Sequence, residues 1–235
     1  MAPKGAYSEE LTRAYDRRHF GGRSGQYILQ RDLQAVQSLL GYVDGLILDI
    51  PCGTGAYLVP LVEHGHDVVA ADASPPMLRV AGQNAVDAPR VLCDVHHLPF
   101  RDGAFNASVT LRLFSHIPKH ALLPVLQELK RAVRSRGVLI FDTFRWTPRR
   151  WPLFRRFLEQ SFIHVLAHDE VERLICRAGL EKVGARHLYL FSPLWQRKLP
   201  FWLLRSLTAF EQLLPPRWLL RTFWACTRDP ASDDR

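Results

Sequence analysis

Apolar positions in this chain recur with two periods that alternate along its first 144 residues. Leu29, Leu33, Val36 and Leu40 follow the i, i+4, i+7, i+11 spacing of one helix face and stop at Gly41. Ser8 supplies a cap for another helix before them. Short apolar runs then take over at 46–50, 67–72, 90–94, 105–111 and 138–142, each read as a strand, with the first buried on both faces. Between these runs the helical period returns. A helix at about 56–63 ends at Gly65, Ser74-Pro75-Pro76 opens another as a cap followed by proline should, and Leu122, Leu126, Leu129 and Val133 share one face of a third.

Strand alternating with helix predicts an α/β fold, a parallel sheet with right-handed crossovers and helices on both faces. Ligands of such sheets bind at the carboxyl ends of the strands, and Asp49, Asp72, Asp94 and Asp142 all fall at or beside those ends. Beyond Phe144 the pattern changes. Residues 145–160 are dense in Arg, Trp and Phe and read as an insertion, the candidate lid. His168-Asp169-Glu170 opens a helix with Val171, Leu174, Ile175 and Ala178 on one face and Gly179 as its stop. Residues 181–190 give a sixth strand and 222–227 a last one. Residues 201–214 between them form an amphipathic helix with Leu203, Leu207, Phe210 and Leu214 inward and Arg205, Thr208 and Gln212 outward.

Composition fits one folded unit. The 235 residues are 47% hydrophobic, enough for one large core with an appended subdomain and too much for a disordered chain. The whole of 1–235 is read as a single domain, comprising N-terminal helices (1–41), a core (46–144), the lid insertion (145–167) and C-terminal strands with a helical insertion (168–235). The start lacks the apolar stretch of a secretory signal and no long apolar run occurs, so a cytoplasmic protein is expected. Cys52, Cys93, Cys176 and Cys226 are scattered without a CxxC pair or a histidine at ligand spacing, which points to reduced thiols and no metal. The net charge of +8 is uneven: residues 145–235 hold 16 Lys and Arg against 9 Asp and Glu, and all six tryptophans are there as well. The front is balanced; the back is basic and aromatic.

Candidate chemistry concentrates in the front. Gly53 and Gly55 end the first strand in a turn whose backbone a ligand can approach closely, and Asp72 follows 17 residues after Gly55, the separation at which a carboxylate can accept ribose hydroxyls. The ordered set Leu48-Asp49-Ile50-Pro51-Cys52-Gly53-Thr54-Gly55, then Asp72, Ser74-Pro75-Pro76-Met77-Leu78, Asp94 with Leu98-Pro99-Phe100, and a strand leading into a histidine loop resembles the class I S-adenosylmethionine-dependent methyltransferases, especially their small-molecule and quinone-methylating members. The resemblance covers residues 46–144. It implies a Rossmann-like, seven-stranded, mostly parallel sheet with an N-terminal helical lid, and S-adenosylmethionine as the methyl donor. It implies that Asp49, Pro51, Cys52, Gly53, Thr54 and Gly55 surround the methionine part, that Asp72 and Ala73 border the ribose, and that Met77, Asp94, Val95 and Leu111 border the adenine and the cleft. Pro51 departs from the family's usual glycine. Because proline fixes φ and lacks an N–H, this argues against a turn that cradles a pyrophosphate and leaves a phosphate-free donor acceptable.

Methyl transfer from a sulfonium requires positioning and desolvation, and a base only where the acceptor atom loses a proton. His116, in the loop after the fourth strand, is the candidate base. Cys52 is read as a small loop residue and not as a nucleophile, and His96 and His97 as turn residues. His19, with Tyr15, Phe20 and Tyr27, either closes over the donor or packs the N-terminal helices. The expected acceptor is a hydrophobic, aromatic or lipid-like small molecule, with peripheral membrane contact through the basic tryptophan-rich part. A tRNA acceptor, or a donor-binding inactive partner subunit, are the alternatives; nucleic acid ranks below the small molecule.

Overall fold

The computed structural model describes residues 9–145, 164–190, 193–196 and 198–228. Two N-terminal helices, α1 (Glu9–Phe20) and α2 (Gly22–Leu40), precede the sheet, and Gly41 ends α2 at φ 56° with its N–H on the Gln37 carbonyl. Strands β1 (Ile47–Asp49), β2 (Val68–Asp72), β3 (Arg90–Leu92), β4 (Phe105–Thr110), β5 (Val133–Phe144), β6 (Leu180–Leu188) and β7 (Arg221–Arg228) form one sheet in the order β3-β2-β1-β4-β5-β7-β6. The β1–β2, β2–β3, β1–β4 and β4–β5 pairs are parallel, and β7 runs antiparallel to both β5 and β6. The seven-stranded, mostly parallel α/β reading therefore holds.

Successive residues of the central strands serve opposite faces, as the period of two requires. Leu48, Val69 and Trp224 join a core layer beneath α5 (Leu122–Ala132) and α6 (His168–Arg177), together with Leu126, Leu129 and Ile175. Ile47, Val68 and Phe223 point the other way, against α2, α3 (Leu58–Glu63) and α4 (Pro75–Asn84), with Leu33, Val36, Leu58 and Ala81. Burial on both sides is why β1 and β2 read as unbroken apolar runs.

Three expectations change. Strand β5 begins at Val133, not 138: Val133 was placed on a helix face, but it pairs with Phe105 and is buried, and the register then shifts before Ala107 meets Val138. Helix α8 (Phe201–Glu211), reached after the short α7 (Pro193–Gln196), turns Leu204 and Glu211 inward and leaves Phe210 exposed. The Glu211 carboxylate sets that rotation by pairing with Arg31 of α2 at 2.6 Å and accepting the Leu190 N–H at 2.8 Å. Finally, Asp142 lies inside β5, and both of its carboxylate oxygens are taken within the protein, by the Arg112 N–H and by Arg221. Of the lid insertion expected at 145–167, residues 146–163 lie outside the described residues, as does Ser8.

Candidate active site

The turn after β1 and the start of α4 meet above the carboxyl edge of the sheet. Cys52 N–H bonds the Ala71 carbonyl of β2 at 2.8 Å, and Gly55 N–H bonds Cys52 O at 3.0 Å, which fixes the loop to the neighbouring strand. Gly53 and Gly55 have φ of 55° and 89°, in the left-handed region that favours glycine. A Cβ on Gly53 would meet nothing within 4 Å, whereas one on Gly55 would sit 3.4 Å from Ala81 Cα. Gly53 therefore faces open space while Gly55 lets α4 approach.

Asp72 braces this turn. Its Oδ2 accepts the Gly53 N–H at 2.9 Å and its Oδ1 the Ser74 N–H at 2.8 Å. Each oxygen keeps a second lone pair for a ligand hydroxyl. Burial raises the Asp72 pKa above the ordinary carboxylate value, partly offset by these N–H groups. Ser74 caps α4 by accepting the Met77 N–H at 3.5 Å, and this leaves Met77 buried on the helix face toward the sheet. Ala73 is exposed between the two.

Asp49 is the most demanding group in the site. Its side chain is 1% exposed, and its Oδ2 has no hydrogen-bond partner among the described residues. Burial raises its pKa well above the usual carboxylate range, with repulsion from Asp72 adding to this. A sealed carboxylate oxygen without a donor calls for a cationic or N–H-bearing ligand, which the ammonium of a methionine moiety supplies. The residues present thus fit the donor that the sequence implied. Cys52, buried between these acids, has its thiol pKa pushed far up by burial first and then by Asp49 and Asp72, so a thiolate nucleophile is disfavoured.

Around this centre the other candidates separate. Val95 and Leu111 are buried. Asp94 Oδ1 is taken by the His96 backbone N–H at 3.0 Å and ring Nδ1 at 2.7 Å; burial alone would raise its pKa, but these contacts hold it below the usual value. Thr54 donates its hydroxyl to Asp16 of α1, and Phe20 packs edge-on to Tyr57 at 5.9 Å, so α1 rests on the glycine turn. His19 packs tilted against Tyr15 with ring centroids 4.1 Å apart, whereas Tyr27 packs edge-on to Phe201 of α8. His116 is exposed at the loop after β4, and its pKa is lowered first by desolvation and then by Arg112, with Asp142 opposing. Among the described residues no group of three His, Cys, Asp or Glu could hold a metal ion.

A buried polar network behind the cleft was not foreseen. Arg221 of β7 donates to Asp142 at 2.6 Å and to Asp32 of α2 at 2.6 Å. Asp32 also accepts the hydroxyls of Tyr57 at 2.7 Å and Tyr189 at 2.6 Å. Asp142 Oδ1 accepts the Arg112 backbone N–H at 2.5 Å and so holds Arg112 at φ 61°, its guanidinium 4.6 Å over the Phe20 ring. The one sequence signal was Asp32 standing amid the apolar stripe of α2; its partners come from 25 to 189 residues away.

Residues 48–141 match a family described as a methyltransferase domain. The chain is 33% identical over 135 residues to a malonyl-[acyl-carrier protein] O-methyltransferase of Serratia marcescens, covering 53% of this chain and 50% of that protein. It is 33% identical over 125 residues to a demethylmenaquinone methyltransferase of Beutenbergia cavernae, covering 52% and 50%. The chain therefore spans about half the length of the curated relatives it matches. Among solved structures, a geranyl diphosphate C-methyltransferase of Streptomyces coelicolor A3(2), in complex with Mg2+, geranyl diphosphate and S-adenosyl-L-homocysteine, shares the fold with a TM-score of 0.68 at 16% identity, over 95% of this chain and 85% of that one. The glycine turn and the two strand-end acids thus lie within the segment that matches a methyltransferase domain, and the sheet as a whole has the fold of solved methyltransferases.

Proposed function

We propose that the protein transfers the methyl group of S-adenosylmethionine to a hydrophobic, aromatic or lipid-like small molecule by in-line displacement. The observation that carries the donor half of this reading is the sealed, unpartnered oxygen of Asp49 beside the Asp72-braced glycine turn. Bound there, the donor supplies an activated methyl group, and the protein has to orient it and exclude water. Asp49 holds the donor's ammonium, Asp72 its ribose hydroxyls, and α1 covers the turn through Asp16 and Phe20. His116, whose pKa is lowered from that of a free histidine, is the candidate base for an acceptor that must lose a proton. The acceptor class draws support from a relative named for demethylmenaquinone, from a structural neighbour named for geranyl diphosphate, and from the aromatic C-terminal part.

Incubating the purified protein with methyl-labelled donor and a panel of prenylated quinols, phenols and acyl carboxylates tests this. Label appearing in an apolar product supports it. Tight S-adenosylhomocysteine binding without turnover of any small molecule would remove catalysis and favour a donor-binding partner subunit.

A further inference from the structure

Eight large apolar side chains are exposed among the described residues, and four of them, Trp202, Phe210, Leu213 and Trp218, lie within one short stretch. Helix α8 holds to the protein by a single face, that of Leu204 and the Glu211–Arg31 pair. At about 100° per residue, Trp202, Ser206, Ala209, Phe210 and Leu213 fall on the opposite side within an arc of roughly 100°. All five are exposed, Trp202 at 70% and Leu213, in the turn that continues the helix, at 80%. Trp218 follows in the 3-10 turn Pro216–Trp218.

The charges around this face have one sign. Arg205 borders it, Arg217 adjoins Trp218, and Arg23 lies 4.2 Å from the Phe201 ring at the start of α8; all three are exposed. Among the described residues from 193 to 218 the one acid is Glu211, which is buried and paired. Arg145, where the basic tryptophan-rich segment begins, donates to the Pro216 carbonyl at 3.0 Å.

We propose that this face docks on an anionic lipid surface, with α8 in the plane of the interface and Trp202, Phe210 and Leu213 entering the boundary between headgroups and acyl chains. An apolar helix face carrying tryptophan, flanked by arginines, gains from both apolar burial and attraction to anionic headgroups. A second copy of the chain fits less well. A two-fold contact would press Arg205 and Arg217 toward their own copies with no exposed acid in the stretch to pair them. The helix rests on the surface; no helix among the described residues is long and apolar enough to cross a membrane. The inference concerns docking and does not depend on the methyl-transfer reading.

Sedimentation of the full chain with phosphatidylcholine vesicles, with and without phosphatidylglycerol, tests it. The protein should bind the anionic vesicles, and high salt should weaken that binding. The double variant Trp202→Glu, Phe210→Glu should lose at least about tenfold in vesicle affinity. The pair Arg205→Glu, Arg217→Glu should lose the preference for phosphatidylglycerol. Unchanged thermal midpoint and calorimetric S-adenosylhomocysteine affinity in these variants show that fold and donor site are intact. Absence of binding by the wild type, equal binding by the double variant, or concentration-dependent self-association that the double variant abolishes would each overturn the proposal.

Discussion

Replacing Asp49 by Asn should change donor affinity and apo stability in opposite directions. The carboxylate is buried, its Oδ2 lacks a partner, and its pKa is raised by burial and by Asp72. With the donor absent it is a liability: at neutral pH the folded state must bury a charge or hold a proton that the unfolded state releases. Asn removes that cost, so the apo protein should melt higher at pH 7. The sign follows from linkage. A carboxyl whose folded pKa is raised binds more protons folded than unfolded as pH rises above its ordinary value, so its penalty is absent in acid and grows toward the folded pKa. The gain from Asn should vanish below about pH 4. Donor binding should weaken by about 1.5–3 kcal/mol, the worth of a charge-assisted hydrogen bond, or roughly 10- to 150-fold in Kd. Calorimetry with S-adenosylhomocysteine and with its analogue lacking the amino group closes a double-mutant cycle. The wild type should lose affinity for the deaminated analogue, while Asp49→Asn should discriminate little between the two ligands. Equal discrimination by both proteins would show that Asp49 does not meet the ammonium and would refute the reasoning.

Other expectations follow from the same structure. Asp72→Ala should weaken S-adenosylhomocysteine binding by about 1.5–3 kcal/mol, and unchanged calorimetric affinity would remove Asp72 from the site. Arg221→Met leaves Asp32 and Asp142 buried without their cation and should cost about 3–5 kcal/mol in urea unfolding; a loss near zero would mean the two acids are compensated elsewhere. If His116 is the base, kcat/KM should fall with acid at a pH below the ordinary histidine value, and His116→Gln should abolish that limb; an unaltered limb assigns the proton to another group. His187 has its pKa pushed down to about 4, by burial first and then by Arg145 and His168. Its contribution to stability is therefore present above the unfolded value and lost as pH falls from about 6.5 toward 4, a dependence that His187→Gln should remove from the pH profile of unfolding.

Local rules sufficed for the front of the chain. The turn of Gly53 and Gly55, the Ser74 cap and the apolar runs of β1 and β2 each depend on a few neighbouring residues and on burial from both sides, so periodicity revealed the elements and their order. Asp49 and Asp72 were legible for the same reason, since a strand end followed by a glycine turn fixes where a side chain emerges. The rotation of α8 was not legible: Leu203, Leu207, Phe210 and Leu214 form an acceptable apolar stripe, but the buried pairing of Glu211 with Arg31, 180 residues apart, turned Leu204 inward and left Phe210 outside. Asp142 likewise looked like a strand-end ligand group until Arg221, brought beside it by the antiparallel insertion of β7, claimed its carboxylate. The sequence determined the sheet's elements and the acids at its strand ends, because both are written in short-range pattern. Tertiary structure decided which polar groups are satisfied inside and which apolar face is left outside, because those outcomes rest on charges and side chains that meet only after the chain has folded.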